Sequence, residues 1–351
     1  MNSHTARRTR RKPHAIDLFA GCGGLTLGLR QAGFKVVAAV EIDARAAATY
    51  RLNHKSIRII NSDIQDISVK DLMKVTGMGT GDLDLLAGCP PCQGFSRLAR
   101  HNGRLKRDPR NRLVKDFERF VNGMLPKTVL LENVPALVRS SFFKSLTHTL
   151  QRLGYAISWG VLDGADFGLP QRRRRLILIA SRVGAINLPK GTDGCSNVRD
   201  AIGKLPNPVG SSDPIHALFM RNSERIRKRI AKIPKNGGSR RDVGHNKQLR
   251  CHQKCDGFRD VYGRMRWDKV APTITSGCFN PSKGRFLHPS QDRPISIREA
   301  SLLQSFPRDY KFPARFGITT LAKLIGDALP PLFARRQALQ IKAALDSSKN
   351  G

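Results

Sequence analysis

Short apolar runs alternate with segments of helical spacing along the chain from residue 15 to residue 181. The apolar runs are typical of buried strands and lie at 15–19, 34–43, 83–88, 128–133, 155–163 and 175–181. The segments between them favour helix and lie at 25–33, 44–53, 111–124 and 139–153. Strands that alternate with helices predict an α/β fold with a doubly wound, mostly parallel sheet.

The pattern loses its regularity after about residue 184, where Pro, Gly, Ser and Arg become frequent. Helical spacing returns near residue 294, and 317–346 is helical in pattern with a break at two adjacent prolines. We therefore expect a basic flexible arm, a first domain, a smaller irregular domain and a C-terminal segment that returns to the first domain, at 1–13, 14–184, 185–290 and 291–346. The arm is either a solvated tail or a nucleic-acid-binding segment.

Net charge narrows the classes of partner. The 351 residues include 62 Lys and Arg against 27 Asp and Glu, a net charge of +35. Such a field attracts polyanions, so nucleic acid is the first partner to consider and an acidic membrane surface the second. The chain has no apolar run of about 18 residues and no signal-peptide pattern, which predicts no membrane span and a cytoplasmic location. An odd number of cysteines, seven, fits a reducing compartment.

A glycine-rich turn, DLFAGCGGLTLG, follows the first predicted strand. Gly21 and Gly23 allow the backbone to approach a ligand closely, and the helix that follows offers free N–H groups. Glu41 ends the next strand, where a carboxylate can bind ribose hydroxyls. These features predict a nucleoside-cofactor site, although the spacing is not GxGxxG and a turn without a ligand is the alternative.

The sequence GCPPCQGFSR places Cys92 in a loop directly after a predicted strand. Open α/β sheets carry their chemistry at the carboxyl ends of strands, so Cys92 is a candidate nucleophile. A redox pair with Cys89 and a buried structural thiol are the alternatives. The CHQKC sequence at 251–255 lacks a second ligand pair at zinc-finger spacing, so we predict no metal site.

Two further motifs carry charge at predicted strand ends. Glu132 ends the strand in LLENVPAL, and a partly buried glutamate can hold a proton for general acid catalysis. In QRRRRLILIA, the alternation of a strand puts Arg173 and Arg175 on one face and Arg172 and Arg174 on the other. One pair can face a ligand while the other meets solvent.

Together and in this order, these segments resemble the C5-cytosine-specific DNA methyltransferases. The resemblance rests on DLFAGCGG, VEID, NSDI, PPCQGFS, ENV, QRRRR, RPISIREASLLQSFP and LIGDALPP, and it covers most of the chain outside roughly 185–260. It implies the Rossmann-like fold of S-adenosyl-L-methionine-dependent methyltransferases. It also implies transfer of a methyl group to C5 of cytosine in duplex DNA.

The resemblance assigns roles to single residues. Cys92 matches the nucleophile that adds to C6 of cytosine, and Glu132 the acid that contacts N3. Arg173 and Arg175 match arginines near the target base and its phosphate. Pro91 precedes the nucleophile, and Asn133 helps to fix the catalytic loop. Residues implied to bind the cofactor are Asp17, Phe19, Gly21, Gly23, Glu41, Ile42, Asp63, Pro91 and Asp327. Two positions depart from common patterns: Asp327 replaces an Asn, and Ile42 replaces an aromatic residue.

The same resemblance implies how DNA is handled. The target base lies inside a stacked duplex and has to be flipped out. The basic stretch 97–112 matches a loop that closes over DNA, and 185–290 matches a target-recognition domain whose run 221–241 holds nine basic residues and one acid. We expect a monomeric, nucleoid-associated prokaryotic enzyme of a restriction-modification system, with a cognate restriction endonuclease as a possible partner. An RNA (tRNA) cytosine-5 methyltransferase, an inactive DNA-binding protein and a nicotinamide dehydrogenase are the alternatives.

Overall fold

A computed structural model describes residues 11–91, 112–191, 194, 196–244, 248, 253 and 260–348. Seven strands form one sheet in the order β3-β2-β1-β4-β5-β7-β6. Their bounds are β1 His14–Leu18, β2 Lys35–Val40, β3 Arg58–Ile60, β4 Leu85–Gly88, β5 Thr128–Asn133, β6 Ala156–Asp163 and β7 Arg174–Ser181. The first five strands are mutually parallel, and β7 runs antiparallel between β5 and β6. The predicted α/β class with a mostly parallel sheet is confirmed.

Helices connect and cover these strands. Their bounds are α1 Gly24–Gln31, α2 Ala44–Asn53, α3 Val69–Thr76, α4 Leu113–Met124, α5 Ser141–Arg152, α6 Val198–Ile202, α7 Glu224–Ala231, α8 Ile297–Leu303, α9 Gly317–Asp327 and α10 Pro331–Ser347. Side-chain caps start several of them: the carboxylate of Asp43 accepts from two amides of α2, and the hydroxyl of Ser140 accepts from Phe143 in α5. The sequence pattern did not predict the three-residue β3 or the helix α3.

Alternate residues of the central strands pack into separate cores on the two faces of the sheet. In β4, Leu86 joins one core, whereas Leu85 and Ala87 join the other. In β5, Val129 and Leu130 divide in the same way. Both faces of these strands are buried, which explains why they are continuously apolar in sequence instead of alternating with polar residues.

The C-terminal helix α10 packs along α1 beside the first strands. Phe333 and Ile341 of α10 lie in the same core as Leu25 and Leu29 of α1. The approach is close at Gly28, where an added Cβ would lie 2.5 Å from the Cβ of Ala334 and 2.6 Å from the carbonyl oxygen of Pro331. The end of the chain therefore supports the helix that follows the glycine-rich turn.

The irregular region has a small core of its own, formed by Ile230, Ile233, Val243, Val261, Tyr262 and Leu287. Beside it the buried guanidinium of Arg264 donates to the carbonyl oxygens of Ile230, Ile233, His288 and Gln291, and it also binds Asp292. One side chain thus satisfies backbone acceptors at the end of α7 and in two loop segments that have no regular secondary structure.

None of the helices in the described part of the chain is long and apolar enough to span a membrane.

The contact between α1 and α10 predicts a large effect of adding one methyl group. Gly28→Ala should destabilise the protein by about 2 kcal/mol, because the methyl meets backbone and a packed side chain that cannot retreat. Gly244→Ala is the matched control, since its Cβ would meet no atom within 4 Å. Urea unfolding measures both, and equal midpoints for the two variants would contradict the prediction.

Candidate functional site

Most of the predicted site residues that the structure describes lie at the carboxyl edge of the parallel strands. The turn after β1, Glu41 after β2, Asn61 to Asp63 after β3, and Cys89 to Pro91 after β4 all follow strands that pair side by side. Glu132 and Asn133 end β5 at the same edge. Parallel pairing alone brings these segments together, because it aligns the ends of strands that are far apart in sequence.

The glycine-rich turn is held by the carboxylate of Glu41. Gly21 donates its N–H to Oε2 of Glu41 at 2.7 Å, and Asp43 donates its N–H to Oε1 at 2.7 Å. Burial raises the pKa of Glu41 above its ordinary value. Gly21 and Gly23 both have positive φ, 55° and 100°, which explains why glycine occupies them.

Ile42, the residue after Glu41, is an apolar side chain that is 64% exposed at this edge of the sheet. Asn61 donates from Nδ2 to the carbonyl oxygens of Glu41 and Ile42, at 2.8 and 3.0 Å, and so fixes this segment. Asp63 accepts from the N–H of Gln65 and starts a short 3₁₀ helix. The sequence pattern gave no role to Asn61, although an Asn directly after a strand often closes a turn.

Asp17 is a fully buried acid at the end of β1. Its Oδ2 accepts from the hydroxyl of Thr26 at 2.6 Å, but its Oδ1 has no hydrogen-bond partner among the described residues. Burial raises the pKa of Asp17 to about 7. Beside it the half-buried Phe19 has a left-handed backbone, with φ at 63°. A buried oxygen without a hydrogen-bond donor is rare in folded proteins, so this oxygen is free to accept from a ligand.

Glu132 and Arg175 form an ion pair at the end of β5. The Nε of Arg175 lies 2.9 Å from Oε1 of Glu132, and both side chains are largely buried. The neighbouring Asn133 donates to the carbonyl oxygen of Pro90 at 2.8 Å, which ties the β4 loop to β5 just before Pro91. The candidate acid and the loop that leads to the candidate nucleophile are thus fixed to the same strand.

Arg173 lies on the same face as Arg175, as the alternation predicted, but it contacts backbone instead of an acid. Its guanidinium donates to the carbonyl oxygens of Ile274, Gly326 and Ala328 at 3.0 to 3.1 Å. Burial, together with the charge of Arg175, lowers its pKa to about 9. The structure therefore supports a positioning role for this residue.

Asp327 ends α9 and pairs with Lys323 one turn earlier, at 3.0 Å. Both side chains are about half exposed. Burial opposes the charge of Lys323, but Asp327 and the nearby Asp43 raise its pKa overall. The acid at this position therefore carries its own counterion.

Cys92 and the basic stretch that follows it, up to Asn111, lie outside the described residues, as do Cys251 and Cys255. Cys89 is described, and burial raises the pKa of its thiol well above 9.0, with a further contribution from Glu132. A thiol in that environment is a poor nucleophile. No group of three or more potential ligands for a metal ion occurs within the residues that the structure describes.

The residues at this edge fit the cofactor that the sequence resemblance implies. Glu41 can accept from ribose hydroxyls, and Ile42 offers an apolar surface next to it. The unpartnered Oδ1 of Asp17 suits a cationic or donor group. An added Cβ at Gly21 would meet no atom within 4 Å, which leaves space beside the turn.

Comparison with known proteins adds an independent line of evidence. The family model for C-5 cytosine-specific DNA methylases matches residues 14–343. The Type II methylase M.HgiDII of Herpetosiphon aurantiacus is 36% identical over 345 residues, covering 94% of this chain and 95% of that protein. The Type II methyltransferase M1.HphI of Haemophilus parahaemolyticus is 33% identical, covering 91% and 84%.

A solved structure shares the fold. The crystal structure of a candidate DNA modification methyltransferase encoded within an E. coli prophage superposes with a TM-score of 0.73 at 22% identity. The match covers 95% of this chain and all of that one.

Burial of Asp17 predicts a pH-dependent stability. Because its pKa rises from 3.8 to about 7 on folding, the folded state binds a proton that the unfolded state releases, and stability falls as pH rises through that window. Asp17→Asn removes this dependence. The unfolding free energy of the variant relative to wild type should grow by up to about 4 kcal/mol between pH 4 and pH 8. Urea unfolding without cofactor measures it; parallel pH profiles would refute the burial effect.

The ion pair at β5 predicts different costs for two neighbouring arginines. Arg175→Met leaves Glu132 buried without its cation and should destabilise the protein by about 3 kcal/mol. Arg172→Met is the control, because Arg172 is 69% exposed and lies 3.7 Å from Asp163, so its loss should cost less than about 1 kcal/mol. Similar losses in denaturant unfolding would show that the Glu132 pair is not the cause.

Proposed function

The chain belongs to the C-5 cytosine-specific DNA methylase family, and we propose from this that it methylates C5 of a flipped-out cytosine within one short duplex sequence. It is a DNA cytosine-5-methyltransferase. The observation that carries the proposed mechanism is the buried Glu132–Arg175 pair, which lies at the strand end next to the loop of Pro90 and Pro91.

Family membership implies S-adenosyl-L-methionine as the cofactor. That compound supplies an electrophilic methyl group. We assign its ribose hydroxyls to Glu41, its adenine to the surroundings of Phe19, Ile42 and Asp63, and its methionine end to Asp17, Gly21 and Gly23. Pro91 and Asp327 complete the proposed cofactor site. Support comes from the unpartnered oxygen of Asp17 and from the exposure of Ile42.

The chemistry follows from the weak nucleophilicity of cytosine C5. Addition of the Cys92 thiolate to C6 makes C5 an enamine-like carbon that can attack a methyl group. Glu132 contacts N3 and supports a proton there, which stabilises the adduct. Loss of the C5 proton then expels Cys92 and restores aromaticity. Arg175 holds the Glu132 carboxylate in place, and Arg173 positions the backbone around it.

We propose that duplex DNA lies against the irregular region, 185–290, which serves as the recognition domain. Helix α7 supports this role because Ile230 is buried in the local core while Arg225, Arg227 and Lys228 are exposed. Exposed cations on a short helix suit phosphate contacts, which give sequence-independent affinity that falls with salt. Base-edge contacts would come from other side chains of the region.

The relatives in Herpetosiphon and Haemophilus are Type II enzymes. By analogy we propose that this protein is the modification enzyme of a bacterial restriction-modification system and acts at the nucleoid. It needs no direct contact with a cognate restriction endonuclease. Because each event methylates one strand and needs no two-fold partner, we expect a monomer in sedimentation.

Methylation of tRNA is the second candidate function. The large positive charge suits either polymer, but the long basic recognition region favours DNA. Methyl incorporation into tRNA and into duplex DNA, measured side by side, separates the two.

The proposed function predicts a defined methylation map. An unmethylated plasmid incubated with the protein and S-adenosyl-L-methionine should acquire 5-methylcytosine at one short motif, read at base resolution. Cys92→Ala and Glu132→Gln proteins should leave the plasmid unmodified or slow its modification at least a hundredfold, because each lacks a group of the proposed adduct chemistry. A blank wild-type map with cofactor binding verified would overturn the DNA assignment, and unaltered activity of Cys92→Ala would overturn the mechanism.

A further inference from the structure

A chain of hydrogen bonds runs behind the glycine-rich turn, from the surface to the backbone of Cys22. Arg30 Nη1 lies 3.1 Å from Nδ1 of His54, and His54 Nε2 lies 3.1 Å from the hydroxyl of Tyr310. The Tyr310 hydroxyl in turn donates to the carbonyl oxygen of Cys22 at 2.5 Å. Tyr310 and His54 are both buried.

The chemistry of the four groups allows one direction of donation. A guanidinium only donates, so Nδ1 of His54 accepts and the proton of the neutral ring sits on Nε2. Nε2 then donates to the Tyr310 oxygen, which leaves the Tyr310 proton for the Cys22 carbonyl. Burial, helped by the charge of Arg30, lowers the pKa of His54 to about 4, so the ring stays neutral near pH 7.

The same two side chains also support the turn by contact. A Cβ added to Gly23 would lie 2.5 Å from Nε2 of His54 and 2.7 Å from the hydroxyl of Tyr310. Gly23 is therefore packed against the same ring nitrogen and hydroxyl that form the hydrogen bonds. A side chain at this position would have to displace them, and the φ of 100° would strain it as well.

Hydrogen bonds consequently fix the turn on both sides of the peptide group that joins Gly21 to Cys22. Gly21 donates to Glu41 in front, Gly23 donates to the carbonyl of Ala20, and Tyr310 binds the carbonyl of Cys22 behind. Among the hydrogen bonds of the described residues, none uses the carbonyl of Gly21 or the N–H of Cys22. This peptide is held in a set orientation while its own polar groups remain available.

We propose that Tyr310, oriented through His54 by Arg30, is a positioning residue that presets the Gly21–Cys22 peptide for the cofactor. The proposal rests on the proposed cofactor site. Tyr310 comes from the segment before α9, far from the turn in sequence, and touches its rear side. It therefore acts on cofactor affinity through the backbone of Cys22, without contact to the reacting atoms.

Two buried tyrosines give a matched test. Tyr310→Phe should weaken S-adenosyl-L-methionine binding roughly three- to tenfold, the worth of one hydrogen bond that holds the turn. Tyr155→Phe is the control, because the Tyr155 hydroxyl donates to the carbonyl of Pro126 at the same 2.5 Å and is equally buried, but at another place in the fold. The dissociation constant from calorimetry without DNA is the readout, with KM for the cofactor and kcat measured in parallel.

We expect both variants to lose similar stability, but only Tyr310→Phe to raise the dissociation constant and KM, with kcat changed less. Equal affinity of Tyr310→Phe and Tyr155→Phe would overturn the proposal. A wild-type protein that does not bind the cofactor would instead overturn the proposed function, so the two failures are distinguishable.

Variants at His54 test the series of hydrogen bonds from Arg30 to Cys22 if Tyr310→Phe does not fold. His54→Gln keeps an N–H that can donate to Tyr310 and should stay within about twofold of wild-type affinity, whereas His54→Leu removes it and should weaken binding. When Tyr310→Phe does fold, adding His54→Leu to it should cause little further loss of affinity, because both substitutions act through the same carbonyl. If the two losses of affinity added fully, His54 and Tyr310 would not act through one series of hydrogen bonds.

Discussion

The buried guanidinium of Arg173 joins the central sheet to the irregular region and to the C-terminal segment, and the arrangement of the candidate site depends on this contact. Arg173 is buried, and it donates to the carbonyl oxygens of Ile274 in the irregular region and of Gly326 and Ala328 in the C-terminal segment. Gly326 is pressed so closely on the backbone of Thr275 that a Cβ would lie 2.3 Å away. A buried cation keeps its charge only with such acceptors, and the acceptors, lying outside regular ladders, need a donor. Hydrogen bonds from Arg173 therefore hold the start of β7 against two segments that are distant in sequence, one at Ile274 and one at Gly326 and Ala328.

The position of Arg173 also affects the candidate acid Glu132 at the edge of the sheet. Arg175 lies two residues after Arg173 on the same face, and its Nε binds Glu132. Once Arg173 fixes the start of β7, the position of Arg175 follows from strand geometry, and with it the orientation of the Glu132 carboxylate. Asn133 then connects β5 to the loop before Pro91. The irregular region and the candidate acid are therefore linked through Arg173 and Arg175, at the start of one strand.

The elements that could be predicted are those whose apolar residues recur with the period of a strand or a helix. Apolar runs located six of the seven strands, and the acids at 41 and 132 were found because strand ends are recognisable. The strand β3 was missed because three residues show no period, and α3 was missed as well. The partners of Arg173 and the contact of Tyr310 with Cys22 join residues 101 to 288 positions apart. No local pattern encodes such contacts, so the sequence could suggest which face Arg173 occupies but not that it binds backbone.

Basic groups dominate the composition, whereas the candidate cofactor site contains two acids. The protein carries +35 overall, yet the turn is lined by acids, Asp17 and Glu41, whose pKa values burial raises. Salt screens the exposed cations of α7 strongly and the buried carboxylates little. In the proposed function, the overall positive field does not attract a cationic cofactor, so the proposed cofactor site relies on local acceptors such as Asp17 and Glu41. Interactions with DNA depend on the summed surface charge instead, which is why the two binding events can be tuned by separate residues of one chain.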